Sequence, residues 1–209
     1  MKLASTSRKV ERLGCCLLIC GTLAMLGLGC AGGGDSSASE EVQDDPRASA
    51  FDCRMIAHTY ELAKKATGSG NPPFGAILVR GDSIVAEAIN TGRSTGDVTG
   101  HAEISLISDA SRRFGREYLS ECRLYTSTEP CVMCAGAIRW AGIPRVVYGT
   151  PQNLRGWFQE IPCREILETI APRTEVIGPV LQEEGRKVRS GFRGKGSPGK
   201  PHTQDETPK

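Results

Sequence analysis

Net charge is nearly absent from this sequence. Its 26 Lys and Arg residues face 24 Asp and Glu, a formal +2 at pH 7. Such a balance sets up no strong field that would draw the whole protein to nucleic acid. Residues 51–180 carry 14 basic and 14 acidic groups, and residues 181–209 carry 7 and 4. The excess of positive charge therefore lies in the tail. No apolar run reaches the roughly 20 residues that span a bilayer as a helix. A second Cys-x-x-Cys pair is also missing, which argues against a structural four-cysteine zinc knot. The cysteines after residue 50 are Cys53, Cys122, Cys131, Cys134 and Cys163. This odd number gives no disulfide framework. No internal repeat is visible, and 209 residues suffice for one ordinary domain but not for two sizeable ones.

Residues 1–30 have the pattern of a targeting segment. Lys2, Arg8, Lys9 and Arg12 precede an uncharged stretch from Leu13 to Leu28, followed by small residues at Gly29, Cys30, Ala31 and Gly32. Leu28-Gly29-Cys30 resembles a bacterial lipoprotein box, with Gly27 where that pattern prefers an aliphatic residue. A signal peptide, a membrane or lipoprotein anchor, and an unused upstream extension remain open. Export or tethering is expected from the first two and a cytoplasmic location from the third. Residues 31–50 are small, polar and acidic and are expected to form a flexible linker. Residues 193–209, rich in Gly, Pro and Lys, are expected to be a disordered basic tail. The folded domain is expected over 51–192.

Within that domain, apolar spacing predicts helices over Cys53–Ala66, His101–Phe114, Cys131–Ala141, Cys163–Thr169 and Leu181–Val188. Strands are predicted at Gly75–Val79, Ile84–Ala88, Arg123–Ser127, Arg145–Tyr148 and Glu175–Ile177. The first two strands flank Arg80-Gly81-Asp82-Ser83, which reads as a hairpin turn. A hairpin followed by alternating helices and strands predicts an α/β fold, a mixed sheet covered by helices on both faces.

Two short segments carry the chemistry. One is His101-Ala102-Glu103 and the other is Pro130-Cys131-Val132-Met133-Cys134. Cysteines three apart at a helix start share a face, and the helix N-terminus favours their thiolate form. Pro130 suits the first turn of that helix. One His and two Cys supply three ligands to a tetrahedral ion and leave a fourth position for water. Sulfur with imidazole selects zinc, one ion per chain. Alone, Cys-x-x-Cys would also fit a redox pair, and His-Ala-Glu would fit an ordinary helix start. Taken together and in this order, they match the zinc deaminase pattern of His-x-Glu and Pro-Cys-x-x-Cys. In that chemistry zinc lowers the pKa of water toward 7. Glu103 takes the proton and carries it to the ring nitrogen and then to the departing amine.

With Pro73-Phe74-Gly75-Ala76, Asn90, Gly100-His101-Ala102-Glu103 and the run from Tyr125 to Ile138, residues 51–192 resemble the cytidine and deoxycytidylate deaminase superfamily. The nearest branch holds bacterial guanine deaminase and the tRNA adenosine deaminase. This resemblance implies a three-layer α/β/α sandwich with a five-stranded mixed sheet and zinc held between two helix N-termini. It also implies Glu103 as the catalytic residue, His101, Cys131 and Cys134 as metal ligands, and Asn90 and Phe74 as substrate-binding residues. Backbone groups around Glu129 and Pro130 would meet the leaving amine, and Glu129 itself reads as structural.

Arg139 and Gly100 depart from common family residues. So does Asn153–Cys163, where Trp157 and Phe158 would either cap the pocket or pack as a surface loop. The expected partner is a small nucleobase or nucleoside, a guanine-type purine before a cytosine-like base. Nucleic acid is not expected, a membrane tether through residues 1–30 is an open expectation, and a homodimer is implied by the resemblance. The alternatives are tRNA wobble adenosine deamination and a non-catalytic zinc protein of the envelope. A short stretch from Asn90 to His101 and a neutral domain favour the small substrate over tRNA. The presence of Glu103 argues against the non-catalytic reading.

Overall fold

The computed structural model describes residues 43–152, 161–169 and 172–192. The expected targeting segment, most of the expected linker, Trp157 and Phe158, and the basic tail lie outside the described residues. Among the described residues, no helix is long and apolar enough to cross a membrane.

Helix α1 runs Ala50–Gly68. Strands β1 (Gly75–Arg80) and β2 (Ser83–Ile89) form the predicted hairpin. Then come α2 (Gly92–Thr95), α3 (Ala102–Leu119), β3 (Cys122–Thr128), α4 (Val132–Ala141), β4 (Arg145–Thr150), α5 (Cys163–Leu167), β5 (Glu175–Ile177) and α6 (Gln182–Ser190). The five strands form one sheet in the order β2-β1-β3-β4-β5. β1 pairs antiparallel with both β2 and β3, whereas β3, β4 and β5 are parallel. The mixed sheet is as predicted.

Side chains alternate across this sheet and divide the core in two. Ala76, Leu78, Leu124, Val146 and Val176 pack with Leu106, Ala135, Ile138 and Leu167 from α3, α4 and α5. Their neighbours Ile77, Val79, Tyr125, Val147 and Ile177 pack on the other face with Ile56 and Tyr60 of α1 and Val188 of α6. The result is the three-layer α/β/α sandwich. On the α1 side the layers approach closely. A methyl at Gly149 of β4 or at Gly185 of α6 would overlap the Tyr60 side chain, so both positions require glycine.

Two differences from the sequence expectation bear on packing. Residues 43–50, inside the expected linker, already belong to the domain. Ser49 caps α1, its hydroxyl accepting from the Asp52 N–H at 3.1 Å while the Asp52 carboxylate accepts from the Ser49 N–H at 2.9 Å. Farther back, the Asp44 carboxylate accepts the N–H groups of Leu181 and Gln182 at 3.0 and 3.1 Å, covering donors that a helix start leaves unpaired. Composition marks these acidic residues as linker, but the positions they reach make them caps. The second difference is in α3, which continues to Leu119 beyond a break at Gly115 (φ 77°, ψ 169°). That glycine conformation ends the apolar period at Phe114 without ending the helical segment.

Candidate metal and catalytic site

The site lies where β3 and β4 end, between the starts of α3 and α4. His101 is the N-cap of α3 and Cys131 the N-cap of α4, both with extended backbone. Pro130 therefore precedes the cap and is not in the first helical turn, contrary to its expected place. Cys134, one turn into α4, points back beside Cys131.

The three donor atoms form a nearly equilateral triangle. His101 Nδ1 lies 3.5 Å from both Cys131 Sγ and Cys134 Sγ, and the sulfurs are 3.5 Å apart. A tetrahedral zinc with ordinary Zn–S and Zn–N bonds separates its ligand atoms by about 3.6–3.8 Å. The triangle fits one face of that tetrahedron to within about 0.3 Å. His101, Cys131 and Cys134 are also the one His/Cys/Asp/Glu group among the described residues whose donor atoms gather in this way.

Glu103, in the first turn of α3, is 5% exposed. Its Oε2 is 3.5 Å from Cys134 Sγ, and its Oε1 accepts a hydrogen bond from Thr126 Oγ1 at 2.8 Å. Burial raises the Glu103 pKa above the usual carboxylate range, against the lowering effect of its hydrogen bonds. A carboxyl group so placed, one oxygen held by Thr126 and the other beside the donor triangle, is suited to taking and returning a proton. Glu103, His101 and Cys131 line a small cleft with Phe74, Thr128, Glu129 and Gln152.

The predicted residues are thus brought together with one exception. His101, Glu103, Cys131 and Phe74 line the cleft, and Cys134 lies buried beside Cys131 behind it. Asn90, expected to contact the base, is buried at the end of β2 and does not line it. Its Oδ1 accepts the Gly92 N–H at 3.1 Å, the strand-ending turn role. Glu129 is structural as read, since its carboxylate accepts the N–H groups of Gln152 and Cys163 at 3.3 and 3.1 Å. Thr126 was missed. Strand alternation offers a signal for it: Leu124, Thr126 and Thr128 share the face that α3 covers, and two polar residues at apolar positions there mark a site.

Residues 49–150 match the model of the cytidine and deoxycytidylate deaminase zinc-binding region. A probable cytosine deaminase of Schizosaccharomyces pombe is 35% identical over 151 residues, covering 68% of this chain and 91% of its own. The guanine deaminase of Bacillus subtilis is 46% identical over 95 residues, 45% of this chain and 61% of its own. A solved structure from work on A-to-I editing by tRNA:A34 deaminases shares 32% identity with a TM-score of 0.56, over 65% of this chain and 98% of that one. The chain belongs to the cytidine and deoxycytidylate deaminase family of zinc-dependent hydrolases. Zinc is the ion its donor set fits.

Proposed function

We propose that this protein hydrolytically removes the exocyclic amine of a small nucleobase or nucleoside, a guanine-type purine before a cytosine-like pyrimidine, and releases ammonia. The observation that carries the proposal is the Glu103 carboxylate, buried beside the His101–Cys131–Cys134 triangle and opening on the same cleft as Phe74. Zinc held by the triangle supplies Lewis acidity, which makes a water a competent nucleophile near pH 7. Glu103 accepts one proton of that water and delivers it to the ring nitrogen beside the attacked carbon, then takes the proton left on the added hydroxyl to the amine as the C–N bond breaks and the carbonyl forms. Thr126 holds one carboxylate oxygen still, so the other is the one that shuttles. Phe74 offers its ring to the base. The Asn90 oxygen accepts the Gly92 N–H and keeps one lone pair, and its amide nitrogen keeps two donors, for a base.

Two features support a single base or nucleoside. Only residues 90–100 join β2 to His101. The 14 basic and 14 acidic groups of residues 51–180 provide no excess to neutralise phosphates. The similarity to a structure from work on tRNA:A34 deaminases supports a second reading, adenosine in a tRNA anticodon. The two are separated by measuring ammonia release from guanine, cytosine, adenine and their nucleosides alongside inosine formation in anticodon stem-loops. The small-substrate reading expects turnover in the first set and none in the second. Inosine formation faster than turnover of every base and nucleoside contradicts it.

A further inference from the structure

One buried polar atom in the cleft wall has no role in the chemistry described so far. Gln152 lines the cleft with His101, Glu103 and Phe74. Its Oε1 is closed off from solvent and has no hydrogen-bond partner among the described residues. A buried acceptor left unpaired is costly, so folded proteins rarely keep one without a use.

The backbone that carries Gln152 is held from several sides. The Glu129 N–H donates to the Thr150 carbonyl at 2.8 Å, at the end of β4. Arg189 Nη1 donates to the Pro151 carbonyl at 3.1 Å. Glu129 Oε2 accepts the Gln152 N–H at 3.3 Å, while its Oε1 accepts the Cys163 N–H at 3.1 Å. The carboxylate that fixes Gln152 thus belongs to the residue two before the ligand Cys131. Any movement of the zinc-binding turn and of Gln152 is coupled through one side chain.

We propose that Gln152 is a specificity-determining residue that reads the polar edge of the substrate base, and that Glu129 is the residue that positions it. A carboxamide offers an acceptor and two donors on a planar group, the complement of an edge that pairs a ring N–H or amine with a carbonyl or ring nitrogen. A 180° turn of the amide exchanges donor for acceptor without moving the side chain, so Gln152 can meet bases that present either order. Gln152→Glu removes the donors and leaves only acceptors. Selectivity then shifts toward bases whose facing group is a donor.

The inference rests on the proposed deamination of a small base, and its test keeps the two apart. First, ammonia release by the zinc-loaded wild-type protein is measured on guanine, cytosine, adenine and their nucleosides. Second, KM and kcat on the best of these are compared for Gln152→Leu, Gln152→Glu and Glu129→Gln, with zinc content recorded for each. Third, binding of that base to zinc-loaded Glu103→Ala protein is measured by calorimetry with and without Gln152→Leu. The expected result is a rise of about tenfold or more in KM and in the dissociation constant for Gln152→Leu, the loss of one substrate hydrogen bond, with zinc content unchanged. Gln152→Glu reorders the substrate panel, and Glu129→Gln shifts KM in the same direction as Gln152→Leu. A wild-type protein that turns over none of the panel overturns the proposed function and this inference with it. An active wild type with KM and base affinity unchanged within twofold in Gln152→Leu overturns the inference alone.

Discussion

Thr126 and Glu103 meet at 2.8 Å, the threonine hydroxyl donating to one oxygen of a buried carboxylate at the cleft wall. Thr126 stands on β3 and Glu103 in the first turn of α3, so the bond joins the sheet to the helix that carries the zinc histidine. It leaves the second carboxylate oxygen facing Cys134. Replacing the hydroxyl with a methyl in Thr126→Val keeps the shape and unpairs that oxygen. We expect kcat to fall about tenfold, the scale of one hydrogen bond to a charged group, with KM and zinc content unchanged. Thr126→Ser should recover most of the loss. Equal loss in the Ser and Val variants would show that packing matters and the hydroxyl does not.

Metal binding should depend on all three members of the triangle. Wild-type protein is expected to carry one zinc per chain, and Cys131→Ala, Cys134→Ala and His101→Ala are each expected to lose it on dialysis. Elemental analysis of the purified proteins reads this directly. Ligand thiols must shed their protons on binding, so affinity should also weaken as pH falls. Zinc retained at wild-type stoichiometry in Cys134→Ala would refute the assignment.

A buried carboxylate away from the site predicts how the fold responds to acid. Asp52 is 0% exposed and accepts hydrogen bonds from Ser49, from Tyr125 Oη at 2.8 Å and from Arg145 Nη2 at 3.1 Å. Burial alone would raise its pKa, but these partners outweigh it and hold the group below the usual carboxylate value. A depressed folded-state pKa means stability that is present above the unfolded value, near 3.9, and is lost as pH falls through the folded one. Asp52→Asn should cost about 2 kcal/mol at neutral pH by removing the buried charge that Arg145 and Ser49 bond, leaving Arg145 with Glu175. The same change should flatten the decline below about pH 4. Denaturant midpoints taken across that range check both effects; an unchanged acid slope in the variant would contradict them.

Much of the site was legible because its chemistry is local in sequence. His101 and Glu103 are two residues apart, Cys131 and Cys134 three, and each pair opens a helix whose apolar spacing is plain. The five strands and the two-sided core followed from alternation and from the order of elements. What escaped depends on sheet register. Thr126 reaches Glu103 only because β3 turns alternate residues toward α3. Glu129 reaches Gln152 and Cys163 only because β4 runs parallel beside β3 and ends level with it. Asp44 looked like linker because an acidic residue in a polar stretch carries no sign of the helix end it will cap more than a hundred residues later. Asn90, read from its strand-end position as a substrate contact, also closes the turn that follows, its oxygen accepting the Gly92 N–H.

The central claim is that Glu103 moves the proton beside a zinc it does not bind. It is tested most directly by measuring zinc content and ammonia release on the same preparations of wild-type and Glu103→Ala protein, using the best base or nucleoside of the panel. We predict equal zinc, one per chain, in both proteins, and turnover lower by about 10²–10⁴-fold in the variant, the usual worth of a positioned acid–base group. Turnover within a few-fold of wild type at full zinc occupancy would contradict the account.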